Sequence, residues 1–130
     1  HLQETLIHKE PGQELPPITD PFLVQLYKVM EEKLDDPELG VDYLCKVMAM
    51  SRSTLNRKLK SLLEISTNDL IRQFRLQKAV NHLKAGDDIS IAAYKVGFSS
   101  PSYFSQCFKE QYEITPSEFI ASGKSVPGKS

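Results

Sequence analysis

Two sets of side chains in this 130-residue sequence share a chemistry that is unusual for a helix surface. Ser53, Asn56, Arg57 and Lys60 recur at i, i+3, i+4, i+7, and so do Ser102, Ser105, Gln106 and Lys109. At 100° per residue each set falls on one face of a helix. The types are short hydroxyls, amides and bases, which donate to and accept from base edges and phosphate oxygens. Neither stripe contains an acid. A face that is merely solvated usually mixes Glu with Lys for pairing at i,i+4 and for solubility. The pattern therefore points to duplex readout. The competing reading is a protein-interaction bundle whose basic surface meets an acidic partner, and it predicts no enriched DNA sequence.

Each stripe is backed by an apolar face. Leu55, Leu59, Leu62 and Leu63 lie opposite the first, and Phe104 and Phe108 opposite the second. The two helices belong to an internal repeat. Residues 53–71 align with 102–120 at an offset of 49, matching Leu55 to Phe104, Leu59 to Phe108 and Lys60 to Lys109. The same offset matches Glu64-Ile65-Ser66 to Glu113-Ile114-Thr115 and Leu70-Ile71 to Phe119-Ile120. Upstream the offset is 48, pairing Leu44-Cys45 with Ala92-Ala93 and Ala49-Met50-Ser51 with Gly97-Phe98-Ser99, so the second copy has one extra turn residue. Each copy reads as a short helix, a tight turn and a longer helix, the helix-turn-helix arrangement.

The remaining punctuation predicts an all-α chain of about seven helices. Asp20-Pro21 caps and opens the first, with Phe22, Leu23, Leu26, Tyr27, Met30 and Leu34 at helical spacing and Asp35-Asp36-Pro37 as its stop. A second helix fits Val41 to Met48, and Ser51 caps a third that runs to about Leu63. Ser66 to Asp69 has the form of a capping box opening a long helix to Lys84, stopped at Gly86. Ile89 to Val96, Pro101 to about Tyr112, and a short helix opened by the capping box Thr115 to Glu118 complete the set.

In the long helix, Leu70, Ile71 and Phe74 lie nearly half a turn from Leu76, Ala79, Val80 and Leu83. A helix whose buried face changes sides midway suits a connector between two small clusters better than a place in one core. The expected organisation is a flexible leader over 1–19, a first helix-turn-helix subdomain over 20–65, a connecting helix over 66–85, a second subdomain over 86–122, and a disordered tail over 123–130.

Composition is consistent with this and excludes other classes. The net charge of −1 hides an asymmetry. Residues 1–40 carry a net −6 and residues 41–130 a net +5, so an acidic leader precedes a basic working region. No apolar run reaches the roughly 18–20 residues of a membrane span. Cys45 and Cys107 stand apart without a CxxC and read as reduced, buried thiols, while His1, His8 and His82 lack ligand spacing. No metal or other cofactor is expected. No paired-carboxylate, Cys/His, Ser/His/Asp or P-loop constellation supports an enzyme. The start at His1, with no initiator Met, suggests a piece of a longer protein.

Residues 92–119, AAYKVGFSSPSYFSQCFKEQYEITPSEF, resemble the signature of the AraC/XylS transcription regulators. Residues 50–83, MSRSTLNRKLKSLLEISTNDLIRQFRLQKAVNHL, are similar to that family's first helix-turn-helix and connecting helix. The resemblance covers residues 22–121. It implies two modules, asymmetric binding of double-stranded DNA by each monomer, and a role in transcription control. It also implies contact with RNA polymerase as a possibility and dimerisation through regions absent here. The lead-in DPFLVQLYKVMEEKLDDPE is similar to that of family members forming the output ends of two-component sensors or response regulators. A bacterial cytoplasmic domain is implied, with room for a membrane anchor upstream in the parent.

Carried over by motif position, Ser53, Asn56 and Arg57 face bases in one major groove, and Pro101, Ser102, Tyr103 and Gln106 in the next. Ser51, Arg52, Lys60, Ser100 and Lys109 are the implied phosphate contacts. Arg57 is the strongest base reader of the set, because a guanidinium meets guanine O6 and N7 with two hydrogen bonds. Three positions depart from the family pattern. Ala49 stands where a turn glycine is usual, and a left-handed alanine there costs roughly 1–2 kcal/mol unless the turn is shaped differently. Glu64 and Glu113 stand where helix-ending glycines are common.

Overall fold

A computed structural model describes residues 20–123; the expected leader over 1–19 and most of the expected tail over 123–130 lie outside the described residues. Within that span there are seven helices and no strand: α1 (Pro21–Glu32), α2 (Val41–Met48), α3 (Arg52–Leu63), α4 (Thr67–Lys84), α5 (Ile89–Lys95), α6 (Pro101–Tyr112) and α7 (Pro116–Ala121).

The helix starts follow the cap residues. The Asp20 carboxylate accepts from the Phe22 N–H at 2.8 Å, with Pro21 in the first helical position. Ser51, Ser66, Ser100 and Thr115 accept from the N–H three residues on, at 3.0 to 3.2 Å, satisfying donors that the helices themselves leave open. At Thr115 the box is complete, because Glu118 accepts in return from the Thr115 N–H at 2.8 Å. At Ser66 it is half a box: the Asp69 carboxylate turns instead to Arg72.

The sharper correction concerns α1. It ends at Glu32, not at the acidic pair before Pro37, and Leu34 lies in the turn that follows. The Lys33 N–H closes the helix on the Val29 and Met30 carbonyls. The chain then leaves the helical path, which lets Leu34 pack against both apolar cores of the molecule.

Those cores are two. Leu23, Leu26, Met30, Leu44, Leu55, Leu59, Leu70 and Phe74 belong to the first. Leu76, Val80, Leu83, Ala92, Ala93, Phe104, Phe108 and Phe119 belong to the second. The division falls inside α4, between Phe74 and Leu76, where the helix changes its buried side. The second core is an aromatic chain, with Phe104 on Phe108 at 5.7 Å, Phe108 on Tyr112 at 4.8 Å and Phe108 on Phe119 at 5.9 Å between ring centroids. The preferred offset or edge-on ring geometries make such contacts worth more than their area alone. Most repeat positions share their burial as well as their sequence, although Ile71 is buried and its counterpart Ile120 is exposed. Leu55, Leu59, Leu63 and Leu70 are buried in one unit, and Phe104, Phe108, Tyr112 and Phe119 in the other.

Candidate nucleic-acid interface

Both readout helices are set by the same local devices. A left-handed residue ends the short helix, Ala49 at φ 56° in the first copy and Gly97 at φ 91° in the second. A serine then caps the long helix, Ser51 two residues later or Ser100 three residues later. A left-handed glutamate closes it, Glu64 at φ 58° or Glu113 at φ 67°. The expected single-residue insertion in the second turn thus sits between the left-handed residue and the cap. Alanine and glutamate adopt this region at a cost that glycine avoids, so a left-handed residue after each helix, and not a glycine there, is common to the two copies.

On α3, Leu55, Leu59 and Leu63 are buried while Ser53, Asn56, Arg57 and Lys60 are exposed. On α6, Phe104, Cys107, Phe108 and Tyr112 are buried while Ser102, Gln106 and Lys109 are exposed. Ser105 and Pro101 are half-buried. Among the described residues no carboxylate lies within ion-pairing distance of Arg57, Lys60 or Lys109. Arg57 and Lys60 are therefore available to a polyanion without first breaking a pair, and Lys109 meets only the longer-range charge of Glu118.

Several side chains carry internal duties as well. Ser51 and Ser100 spend an acceptor on capping, and Ser51 also donates to the Thr54 hydroxyl at 3.0 Å. The Asn56 carbonyl oxygen accepts from both the N–H (3.3 Å) and the hydroxyl (2.6 Å) of Thr67, whose side chain is fully buried. Asn56 therefore links α3 to the start of α4, and its amide donors are what it can offer outward. Tyr103 is 47% exposed and rests edge-on against Phe98, with centroids 5.8 Å apart. Arg72, despite partial burial, is held charged by Asp69 and by a hydrogen bond with Tyr103.

The sequence reading missed Asp42, Asn68 and Arg72. Asp42 on α2 holds Arg52 through two hydrogen bonds, at 3.0 and 2.8 Å from Nε and Nη2. The pair is open to solvent, with side-chain exposures of 65% and 84%. Asn68 lines two clefts. One, of about 420 Å³, is bordered by Arg52, Asn56, Arg57 and Lys60 of α3. The other, of about 370 Å³, is bordered by Arg72, Arg75, Ser99 and Tyr103. Among the described residues no acid lines either. Nothing in the spacing marked these residues, because Asn68 lies inside a cap motif and Arg72 on a helix read as a connector.

The family described as "Helix-turn-helix domain" matches residues 44–122. The structure of a transcriptional regulator from Chromobacterium violaceum, described as an AraC-type DNA-binding-domain protein, superposes with a TM-score of 0.73 at 28% identity, covering 83% of this chain and 96% of that one. The chain belongs to the AraC/XylS-type helix-turn-helix family. The DNA-binding domain of AdpA, solved in complex with a target DNA, shares the AraC/XylS fold of this chain, with a TM-score of 0.72 at 24% identity over 86% of this chain and all of that one. A protein called histidine kinase P4, from Formosa agariphila, is 32% identical over 103 residues, which is 78% of this chain and 8% of that protein. The chain spans 8% of that kinase and 38% of the Escherichia coli transcriptional regulator AdiY, to which it is 30% identical over 97 residues. As an AraC/XylS-type domain it is a DNA-binding unit of transcription regulation.

Proposed function

We propose that this chain binds a bipartite site in double-stranded DNA, with α3 and α6 in successive major grooves on one face of the duplex. The observation that carries this reading is the pair of equivalent helices. They are capped at matching positions, each is buried on one side, and each shows an acid-free stripe of hydroxyls, amides and bases on the other. Ser53, Arg57 and the Asn56 amide face bases in one groove, and Pro101, Ser102, Tyr103 and Gln106 in the next. Ser51, Arg52, Lys60, Ser100 and Lys109 position the backbone. Residues 20–65 and 86–122 act as the two reading units and 66–85 as their connector. For both helices to seat, their separation must be near one helical turn of DNA, about 34 Å. The DNA held by AdpA and the shared fold favour this reading.

The chain works as the output module of a larger bacterial signalling protein, in the cytoplasm where its DNA is. The histidine kinase of which the matching segment is only a small part favours that placement. RNA polymerase contact, dimerisation through segments outside the chain and membrane anchoring of the parent belong to the same proposal.

Arg57→Ala tests the assignment. Losing a two-point guanine contact is expected to weaken binding by about 1–3 kcal/mol and to relax the base preference at one position of the site. An unchanged preference, whatever the affinity, removes Arg57 from the reading set. If binding to random duplexes shows no preferred sequence at all, the interaction-bundle reading stands instead.

A further inference from the structure

The segment between α1 and α2 lies between the two reading units. Leu34 packs against both cores, and Leu39 is buried in the first. The turn is tied to itself by the Asp36 N–H to the Lys33 carbonyl at 3.1 Å, the Leu39 N–H to the Asp36 carbonyl at 3.0 Å, and the Glu38 N–H to the Asp36 carboxylate at 2.9 Å. Arg75 stands at the crossover of α4, between Phe74 of one core and Leu76 of the other, and its Nη2 donates to the Asp36 carbonyl at 2.8 Å. Its Nε is buried and meets no acceptor among the described residues. The guanidinium is therefore held by the Nη2 bond and by the structure packed around it.

The other side of this junction is Gly97, the turn residue of the second unit. A Cβ there would sit 2.4 Å from the Leu34 carbonyl oxygen and 3.0 Å from the Arg75 guanidinium carbon. Three pieces of chain therefore meet without spare room: the α1–α2 turn, the middle of α4 and the second helix-turn-helix turn. Beside the junction the units are separated by the 370 Å³ cleft, lined by Pro37 and Leu39 on one side and by Gly97, Phe98 and Tyr103 on the other. The principal helix packing is α1 on α2, α2 on α3 and α3 on α4 in one unit, and α4 to α6 together with α7 in the other. The turn thus joins α4 in touching both units, through Leu34 on both cores and against Gly97.

We infer that residues 33–39, clamped by Arg75 against Gly97, form a strut that fixes how far apart and at what angle α3 and α6 stand. Arg75 is a positioning residue, and the strut sets which half-site spacing the protein accepts. This rests on the bipartite reading above. Linked half-sites bind tightly only when the linker holds them in register, and a loosened link loses avidity while each half keeps its own affinity.

The test uses the full 130-residue chain and three kinds of duplex: the bipartite site at its preferred spacing of about 10–10.5 bp, the same site lengthened or shortened by one base pair, and a single half-site. Wild type is expected to favour one spacing. In Arg75→Ala, affinity for the preferred spacing falls about tenfold, the altered spacings approach it, and half-site affinity stays within about twofold. Arg75→Lys, which keeps a donor toward the Asp36 carbonyl, recovers part of the preference. Leu34→Ala, which strips the strut of its packing on both cores, repeats the pattern and serves if Arg75→Ala fails to fold. Equal losses on full and half-sites, or an unchanged spacing preference in both variants, overturn the strut. A wild-type chain that favours no sequence overturns the bipartite reading itself, and one that favours a sequence but no spacing overturns the strut alone.

Discussion

Replacing Asp42 by asparagine is expected to tighten DNA binding, because the acid holds a cation that the duplex could use. Asp42 and Arg52 lie 2.8 Å apart, but both are largely in water, where such a pair contributes about 0–1 kcal/mol to stability. Asp42 also sits in the first turn of α2, where an acid is worth about 0.3–1 kcal/mol against the helix dipole. The variant therefore loses at most about 2 kcal/mol of stability and stays folded at 25 °C.

On DNA the balance is different. Arg52 opens the first reading helix and is one of the proposed phosphate contacts, but beside Asp42 the pair carries no net charge to the backbone, whereas the freed guanidinium carries a full positive one. Each added phosphate contact steepens the dependence of log K on log salt by about 0.9. Between 200 and 50 mM salt the advantage of the variant should therefore grow by about 3.5-fold. Fluorescence anisotropy titrations over that salt range, with wild type and variant on one duplex, measure both affinity and slope. Binding that weakens, or a slope that is unchanged, would show instead that Asp42 orients Arg52 for its contact.

Two further substitutions test the local account. Ala49→Gly removes a left-handed alanine worth roughly 1–2 kcal/mol of strain, offset by about 0.4–1 kcal/mol of added unfolded-state entropy. A net gain near 0.5–1 kcal/mol should appear as a raised melting temperature, and a fall would mean that the turn is not strained as described. Tyr27→Phe deletes a buried hydroxyl that has no hydrogen-bond partner among the described residues and that burial keeps from ionising. Its removal should leave stability unchanged or raise it by up to about 1 kcal/mol by urea denaturation, whereas a loss above that would reveal a partner for the hydroxyl.

What the residues announced in advance were features decided within a few positions. Ser51, Ser66, Ser100 and Thr115 cap where a hydroxyl precedes a helical stripe, and Pro21, Pro101 and Pro116 occupy first helical positions. The change of face within α4 was also legible, since it follows from counting 100° steps through Phe74 and Leu76. The repeat at an offset of 49 carried most buried positions of one unit onto the other, Ile71 and Ile120 excepted.

Features decided between distant residues were hidden. Asn56 and Thr67 are 11 residues apart, Arg52 and Asp42 10, and Arg75 and Asp36 39. None follows from a helical period, because each depends on how two elements come to lie together. Leu34 shows the limit best. Its spacing fits the α1 stripe, yet the gain from filling the gap between two cores draws it off the helix. The stripe chemistry was thus visible from the sequence, whereas the way Asp42 and Thr67 claim part of it required the fold.

Selection of bound duplexes from a random DNA library tests the central claim most directly. Two conserved half-sites with centres about 10–10.5 bp apart, one of them altered by Arg57→Ala, are the expected result. Recovery of no common sequence, or of one short uninterrupted element that fills a single groove, would contradict it.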